Sequence, residues 1–432
     1  MYDFNDTENF LKAHSSNEIK PGLERIANLL DSLGNPQNSW ASFHIVGTNG
    51  KGSTGAYLSS IFKEAGYKTG FYSSPHLEKP DERLLINGIP LSADDWYKNL
   101  ELAAGKIKKN FEPSYFELLT AAAFLLARDE KIDVGIIEAG LGGRLDATNL
   151  LGNTICSVIA SISIDHTEFL GDTLEKIAGE KFAVVKKNIP ACYSGDPASL
   201  IPLFKKFCYE HGAVPFVIPE SVKLENINIM TEGCTFDFYS PNLEIKDVFT
   251  PLTGRYQVNN CALALSAVSC VMDKFRNLNA EKIKQGIKKT YWPGRFEIIS
   301  KKPLIILDGG HNYGGVLRLV ESVKELYQDK KIGIIYAAMR DKDYPGCLEL
   351  FKEYLNPAVY FTTVPGMKRA LTPDELLSAG KKINWRNNPR AFDLPEEALK
   401  NSISDNNDVN IICGSLYLIG YVRSKIDYIK NQ

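Results

Sequence analysis

Short apolar runs alternate with longer amphipathic stretches along most of the chain. "SFHIV", "KTGFY", "DVGII" and "SVIASISI" predict strands near 43–46, 69–72, 134–138 and 155–161. A helical hairpin is expected over 93–130, with Pro113 near its turn. Its second helix, "PSYFELLTAAAFLLA", has Ser114 as cap and Glu117 at capping-box spacing. Between 213 and 250 the texture changes to short antiparallel strands, read as an appended edge of the sheet. A helical stretch, "QVNNCALALSAVSCVMDKF", follows. At 293 the Pro-Gly pair of "PGRFEIISKKPLIILDGGHN" suits a hinge. After it a second α/β series begins, with strands near 304–308, 332–337, 358–362 and 409–413. The pattern predicts an α/β fold of two domains, 1–293 around a mostly parallel sheet and 294–432 as a smaller unit.

A chain of 432 residues is long for one core, which agrees with that division. The formal net charge of −2 gives no global pull toward nucleic acid or anionic membrane, so neither partner is expected. No apolar run approaches the roughly 20 residues of a membrane helix, and the acidic, broken N-terminus is unlike a signal peptide. The eight cysteines are scattered without a C-x-x-C pair. They are read as reduced thiols of a cytoplasmic protein.

"HIVGTNGKGSTG", residues 44–55, has the form of a strand, a glycine-rich loop and a helix start. Such a loop wraps phosphates with backbone N–H groups, and the helix dipole favours the anion. The spelling departs from the usual G-x-x-x-x-G-K-[ST] pattern. The first glycine of that pattern falls on Ile45, and Gly52 follows Lys51 where a Mg²⁺-binding hydroxyl is usual.

In an open α/β sheet, ligands gather at the carboxyl ends of the strands. Ser73, Ser74, Glu138, Asp165 and His166 occupy such ends in the first domain, and Asp308 and Ser415 in the second. Mg²⁺ takes oxygen ligands from few protein groups, so Ser74 and Glu138 are candidates to replace the missing hydroxyl. His166 is a less typical magnesium ligand. In "TLEKIAGEKFAVVKK", read as one helix, Lys181 falls on the apolar face of Leu174, Ile177, Ala178 and Val185. It either snorkels outward or points into the site, altered or paired there. "GLGGRLDATN" follows Glu138 and is expected to wall the substrate side.

These motifs stand in an order that resembles one family. "GTNGKGS", "SSPHLEKPDERLLING", "YFELLTAAAFLLA", "EAGLGGRLDATN", "SIDHTEFLGDTLEKIAGEK", "WPGRFE", "LDGGHN" and "CGSLY" are similar to those of folylpolyglutamate and dihydrofolate synthases, of the Mur ligase superfamily. The likeness runs from about residue 21 to 417. It implies an ATP-binding central domain, a smaller Rossmann-like C-terminal domain and an active site between them. By motif match, Gly50, Lys51, Gly52 and Ser53 would cradle the ATP phosphates. Ser74, Glu138 and His166 would serve two Mg²⁺ ions, and Lys181 would carry a carbamate. Asn260, Arg295 and Asp308 match nucleotide-side positions, with His311 close by as a catalytic residue. Arg83, Phe116 and Asp146 match the pterin side. Phe182, where alanine is frequent, and "DGGHN" for "DGAHN" are departures that remove no catalytic group.

The resemblance implies acyl activation. A substrate carboxylate attacks the γ-phosphate of ATP, and the glutamate amine displaces phosphate to leave an amide. The substrates implied are ATP, L-glutamate and a reduced folate or dihydropteroate, handled by a monomer. Alternatives are a Mur ligase acting on a UDP-linked cell-wall precursor, a non-catalytic ATP-dependent switch and a plain P-loop kinase.

Overall fold

The computed structural model describes residues 2–16, 18 and 20–425. The first sheet contains β1 (Ala41–Val46), β2 (Thr69–Tyr72), β3 (Leu84–Ile86), β4 (Ile89–Pro90), β5 (Val134–Glu138), β6 (Thr154–Ile159), β7 (Pro190–Tyr193) and β8 (Val214–Val217). Their order is β4-β3-β2-β5-β1-β6-β7-β8. The β2–β3 and β3–β4 pairs are antiparallel, and the other pairs are parallel. Helices cover both faces of the central strands, so all of β5 is buried and its sequence is apolar without alternation up to Glu138.

One face packs on helices Lys51–Glu64, Arg255–Ser269 and Ala280–Lys288. A Cβ on Gly286 would lie 2.6 Å from the Ile61 Cα, so this glycine permits the close crossing of two of them. The other face packs on helix Tyr115–Asp129. Its capping box is present: the Glu117 carboxylate accepts from the Ser114 amide at 2.7 Å, and the Ser114 hydroxyl accepts from the Glu117 amide at 3.3 Å.

The segment 213–250 differs from the expected appended edge. Only β8 joins the large sheet, as a parallel edge strand. β9 (Lys223–Met230), β10 (Gly233–Ser240) and β11 (Leu243–Thr250) form a separate antiparallel sheet in the order β11-β10-β9. Alternate residues Cys234, Phe236 and Phe238 face the core shared with helix Arg255–Ser269, which gives this sheet its own apolar support. The helix bearing Lys181 is also shorter than expected, spanning Leu174–Phe182. Val185 lies beyond it, still buried. The Val184 carbonyl accepts from the Ser157 hydroxyl of β6 at 2.8 Å, and the chain turns there toward β7.

The second sheet contains β12 (Glu297–Lys301), β13 (Leu304–Leu307), β14 (Ile332–Tyr336), β15 (Ala358–Phe361), β16 (Arg390–Ala391) and β17 (Val409–Cys413). Its order is β12-β13-β17-β14-β15-β16, parallel except for the β12–β13 pair. β12 and the two-residue β16 join the four strands read from the sequence. The chain passes from the first sheet's helices to β12 between Lys288 and Glu297.

Candidate active site

The loop after β1 has a physical reason for each of its glycines. Gly47 and Gly50 adopt φ of +150° and +88°, a region most side chains avoid. A Cβ on Gly52 would lie 2.7 Å from the Trp292 ring nitrogen, and one on Gly55 would lie 2.5 Å from the Phe71 ring. The helix begins at Lys51, so its first N–H groups face the loop. The Lys51 ammonium donates to the Gly47 and Thr48 carbonyls at 3.1 and 3.3 Å and lies 3.7 Å from the Glu138 carboxylate.

Lys181 points inward. It is 4% exposed, and its Nζ donates to the Gly47 carbonyl at 2.9 Å. Burial, aided by Lys51, lowers its pKa to about 7, so a neutral amine is accessible near neutrality. Glu138 is equally buried; desolvation raises its pKa, opposed by Lys51 and Arg295.

These groups border a cavity of about 150 Å³. Gly50, Gly52, Ser53 and Asn260 line it with Ser74, Glu138 and His166. From the second domain come Asp308 and His311, joined by Arg295 of the connecting segment. A larger cavity of about 540 Å³ adjoins it, sharing Ser74, His166 and His311. Arg83, Phe116 and Asp146 line only the larger one. All the site residues matched by motif therefore border one of two neighbouring cavities, whereas the strand-end Ser73 is buried and borders neither.

Several have structural duties as well. The Asp146 carboxylate accepts from the Leu141 amide at 2.8 Å and the Thr148 amide at 3.0 Å, holding the glycine-rich wall in shape. The Asp308 carboxylate accepts from the Phe296 and Gly310 amides at 2.9 and 2.7 Å, which fixes the entry to the second domain. His311 Nδ1 lies 2.8 Å from the Gly309 carbonyl. A carbonyl only accepts, so Nδ1 carries the proton and Nε2 keeps its lone pair. Burial lowers the His311 pKa to about 4, leaving the ring neutral at pH 7. The His166 pKa is also lowered, by partial desolvation and the nearby Lys342 and Lys51, although its side chain is 42% exposed.

A bridging network escaped the sequence reading. Burial would raise the Asp165 pKa, but Lys342 of the second domain, 2.6 Å away, holds it well below the usual carboxylate range. The other Asp165 oxygen accepts from Asn312 at 2.8 Å, and Asn49 of the glycine loop donates to Asn312 at 3.1 Å. Lys342 sits in the unremarkable run "MRDKDY" and carried no signal. Asp165 carried only its strand-end position.

A glycine-rich loop that opens a helix on one sheet faces Asp308 and His311 from a second, an arrangement suited to a two-domain nucleotide-dependent ligase. The family models agree: "Mur ligase middle domain" matches residues 45–268, and "Mur ligase, glutamate ligase domain" matches 294–416. The Bacillus subtilis dihydrofolate synthase/folylpolyglutamate synthase is 32% identical, across 98% of this chain and 99% of that protein. The Escherichia coli dihydrofolate synthase/folylpolyglutamate synthase is 31% identical, across 97% and 94%. The structure of Mycobacterium tuberculosis folylpolyglutamate synthase complexed with ADP and AMPPCP superposes with a TM-score of 0.90 at 27% identity, covering 98% of this chain and 97% of that one. That of E. coli FolC with DHPP and ADP gives 0.87 at 29% identity, covering 99% of each chain. The chain belongs to the folylpolyglutamate synthase/dihydrofolate synthase family of Mur ligases, and is an ATP-dependent acid–amino-acid ligase.

Proposed function

We propose that the protein joins L-glutamate to the free carboxylate of dihydropteroate or of a reduced folate, through an acyl phosphate, at the expense of ATP. The observation that carries this reading is the pair of adjoining cavities. The smaller has phosphate-binding chemistry, the larger accommodates a bulky substrate, and Ser74, His166 and His311 belong to both. The carboxylate oxygen attacks the γ-phosphorus and ADP leaves. The glutamate amine then attacks the acyl carbon, and phosphate leaves with that oxygen. Lys51 neutralises charge on the transferring phosphoryl group. His311 Nε2, neutral and with its lone pair free, takes the proton of the attacking amine. Arg83 and Phe116 hold the pterin end, while Asn260, Arg295 and Asp308 hold the nucleotide.

The donors present fit Mg²⁺. Glu138 is a buried carboxylate and Ser74 a hydroxyl beside it, both hard oxygen donors, and phosphate and water would complete the set. Ser74, Glu138 and His166 would hold it, and the ion would supply charge neutralisation at the phosphates. Lys181 is proposed to carry a carbamate. Its buried neutral amine adds CO₂ and releases a proton, turning a poorly solvated cation into an anion. A carbamate signal from ¹³C-bicarbonate, absent in Lys181→Ala, checks this.

The hinge at 293–294, separating residues 1–293 from 294–432, is proposed to let the domains close on ATP. A monomer without nucleic-acid or membrane partners and a cytoplasmic location complete the reading. Among the described residues no helix is long and apolar enough to cross a membrane. ADP release is measured with dihydropteroate, tetrahydrofolate and a UDP-linked muropeptide, each with and without glutamate. Glutamate-dependent product from either pterin substrate is expected; turnover with the muropeptide alone refutes the proposal.

A further inference from the structure

The segment 75–83, between β2 and β3, carries no substrate chemistry along most of its length, yet Ser74 and Arg83 stand at its two ends and both line the larger cavity. It is a preformed unit. The Glu82 carboxylate gathers the amides of Leu77, Glu78 and Lys79 at 2.7, 3.1 and 3.0 Å. Arg83 Nε donates to His76 Nδ1 at 3.1 Å, which ties the unit to its end.

This unit belongs to the first domain by chain order but is docked on the second. The Leu77 side chain packs against the second domain's core, beside Ile419. Its carbonyl lies where a Cβ on Gly420 would come within 2.0 Å, so helix Leu416–Ser424 meets the loop only because position 420 has no side chain. Three residues further on, Arg423 forms an ion pair with Glu78. The same guanidinium donates to Glu297 of β12 at 3.2 Å and to the Tyr291 hydroxyl at 2.7 Å. Glu297 in turn accepts from the Gly294 amide at 2.8 Å. One arginine thus joins the loop, the connecting segment and the first strand of the second domain.

We propose that Arg423 and Gly420 form an interdomain latch that sets Arg83 for the folate-side substrate only when the second domain is docked. Arg423 is a positioning residue. It lines neither cavity and acts through Glu78 and the loop. The inference rests on the proposed function for its substrate, and on geometry alone for the latch.

The test uses full-length Arg423→Gln and Glu78→Gln, with Gly420→Ala pushing the same loop away without altering charge. Removing a charge-assisted contact of this kind is expected to raise the KM for the pterin substrate on the order of tenfold, with the KM for ATP within about twofold. Arg423→Lys, which keeps the charge, should recover part of the loss. The Arg423→Gln/Glu78→Gln double variant should be no worse than Arg423→Gln alone, as expected where Glu78 acts only through that arginine. Amide exchange across 76–82 should quicken in each of the three variants. Equal rises in both KM values, or an unchanged pterin KM in folded variants, overturns the latch. If the wild type turns over no pterin substrate, the proposed function fails separately. The exchange comparison still decides the latch: protection unchanged across 76–82 in Arg423→Gln refutes it.

Discussion

The two cavities are built by different means. The smaller has one wall made by a single short stretch, residues 47–53, whose shape follows from local backbone geometry and from the helix that starts at Lys51, and it faces Asp308, Gly310 and His311 of the second domain. The larger is assembled from segments far apart in the chain. Arg83 comes from one loop, Phe116 from a helix start, Asp146 from another loop, and Lys342 and Ser415 from the second domain. A locally built site keeps its shape as long as its strand and helix stand. A site assembled across domains also depends on contacts such as Asp165–Lys342 and Arg423–Glu78. The glycine-loop wall should therefore tolerate damage at the domain interface better than the pterin side does.

The largest expected effect lies on the local side. Lys51→Ala removes a preorganised cation and should lower kcat by about 10²-fold or more, in a protein that still folds. Near-normal turnover would remove the glycine loop from the chemistry. Next comes the interface. Lys342→Ala leaves Asp165 as a buried charge without its cation, and such a loss costs about 3 kcal/mol. Denaturant unfolding should show the loss. A normal unfolding midpoint would mean the pair is not part of the interface's support.

A smaller effect is expected at Gly50. Alanine there is strained by the positive φ, and its Cβ would lie 2.4 Å from the Asn260 side chain. The KM for ATP should rise by roughly tenfold, while the pterin KM stays within about twofold. The reverse pattern would break the contrast between the cavities. The mildest prediction concerns pH. Burial lowers the His311 pKa to about 4, so the ring stays neutral and basic as pH falls from 7 toward 5. The kcat profile should show no loss from His311 until pH nears 4, whereas an ordinary histidine would be half protonated near 6.5. A limb near 6.5 that vanishes in His311→Gln would contradict the assignment.

The same contrast explains what the sequence made legible. The glycine loop could be read because its function needs specific residues at short spacing, and Ser74 and Glu138 because parallel strands end at one edge. The Ser114–Glu117 cap was equally local. Lys181 stood out as a cation on an apolar stripe, although its helix ends at Phe182, before the expected end. The separate β9–β11 sheet was misread because alternation reveals a strand's buried face but not its neighbour. Lys342, Arg423 and Gly420 were silent: their roles arise from residues 177, 345 and 343 positions away, at Asp165, Glu78 and Leu77. Only the fold supplies those partners.

The central claim is that a carboxylate on the substrate becomes an acyl phosphate before the amine arrives. It is tested most directly by labelling both oxygens of the dihydropteroate carboxylate with ¹⁸O, running the reaction with ATP and glutamate, and analysing the inorganic phosphate. Attack of the carboxylate on the γ-phosphorus predicts one ¹⁸O in each phosphate released and one retained in the amide product. Unlabelled phosphate accompanying amide formation would contradict the account.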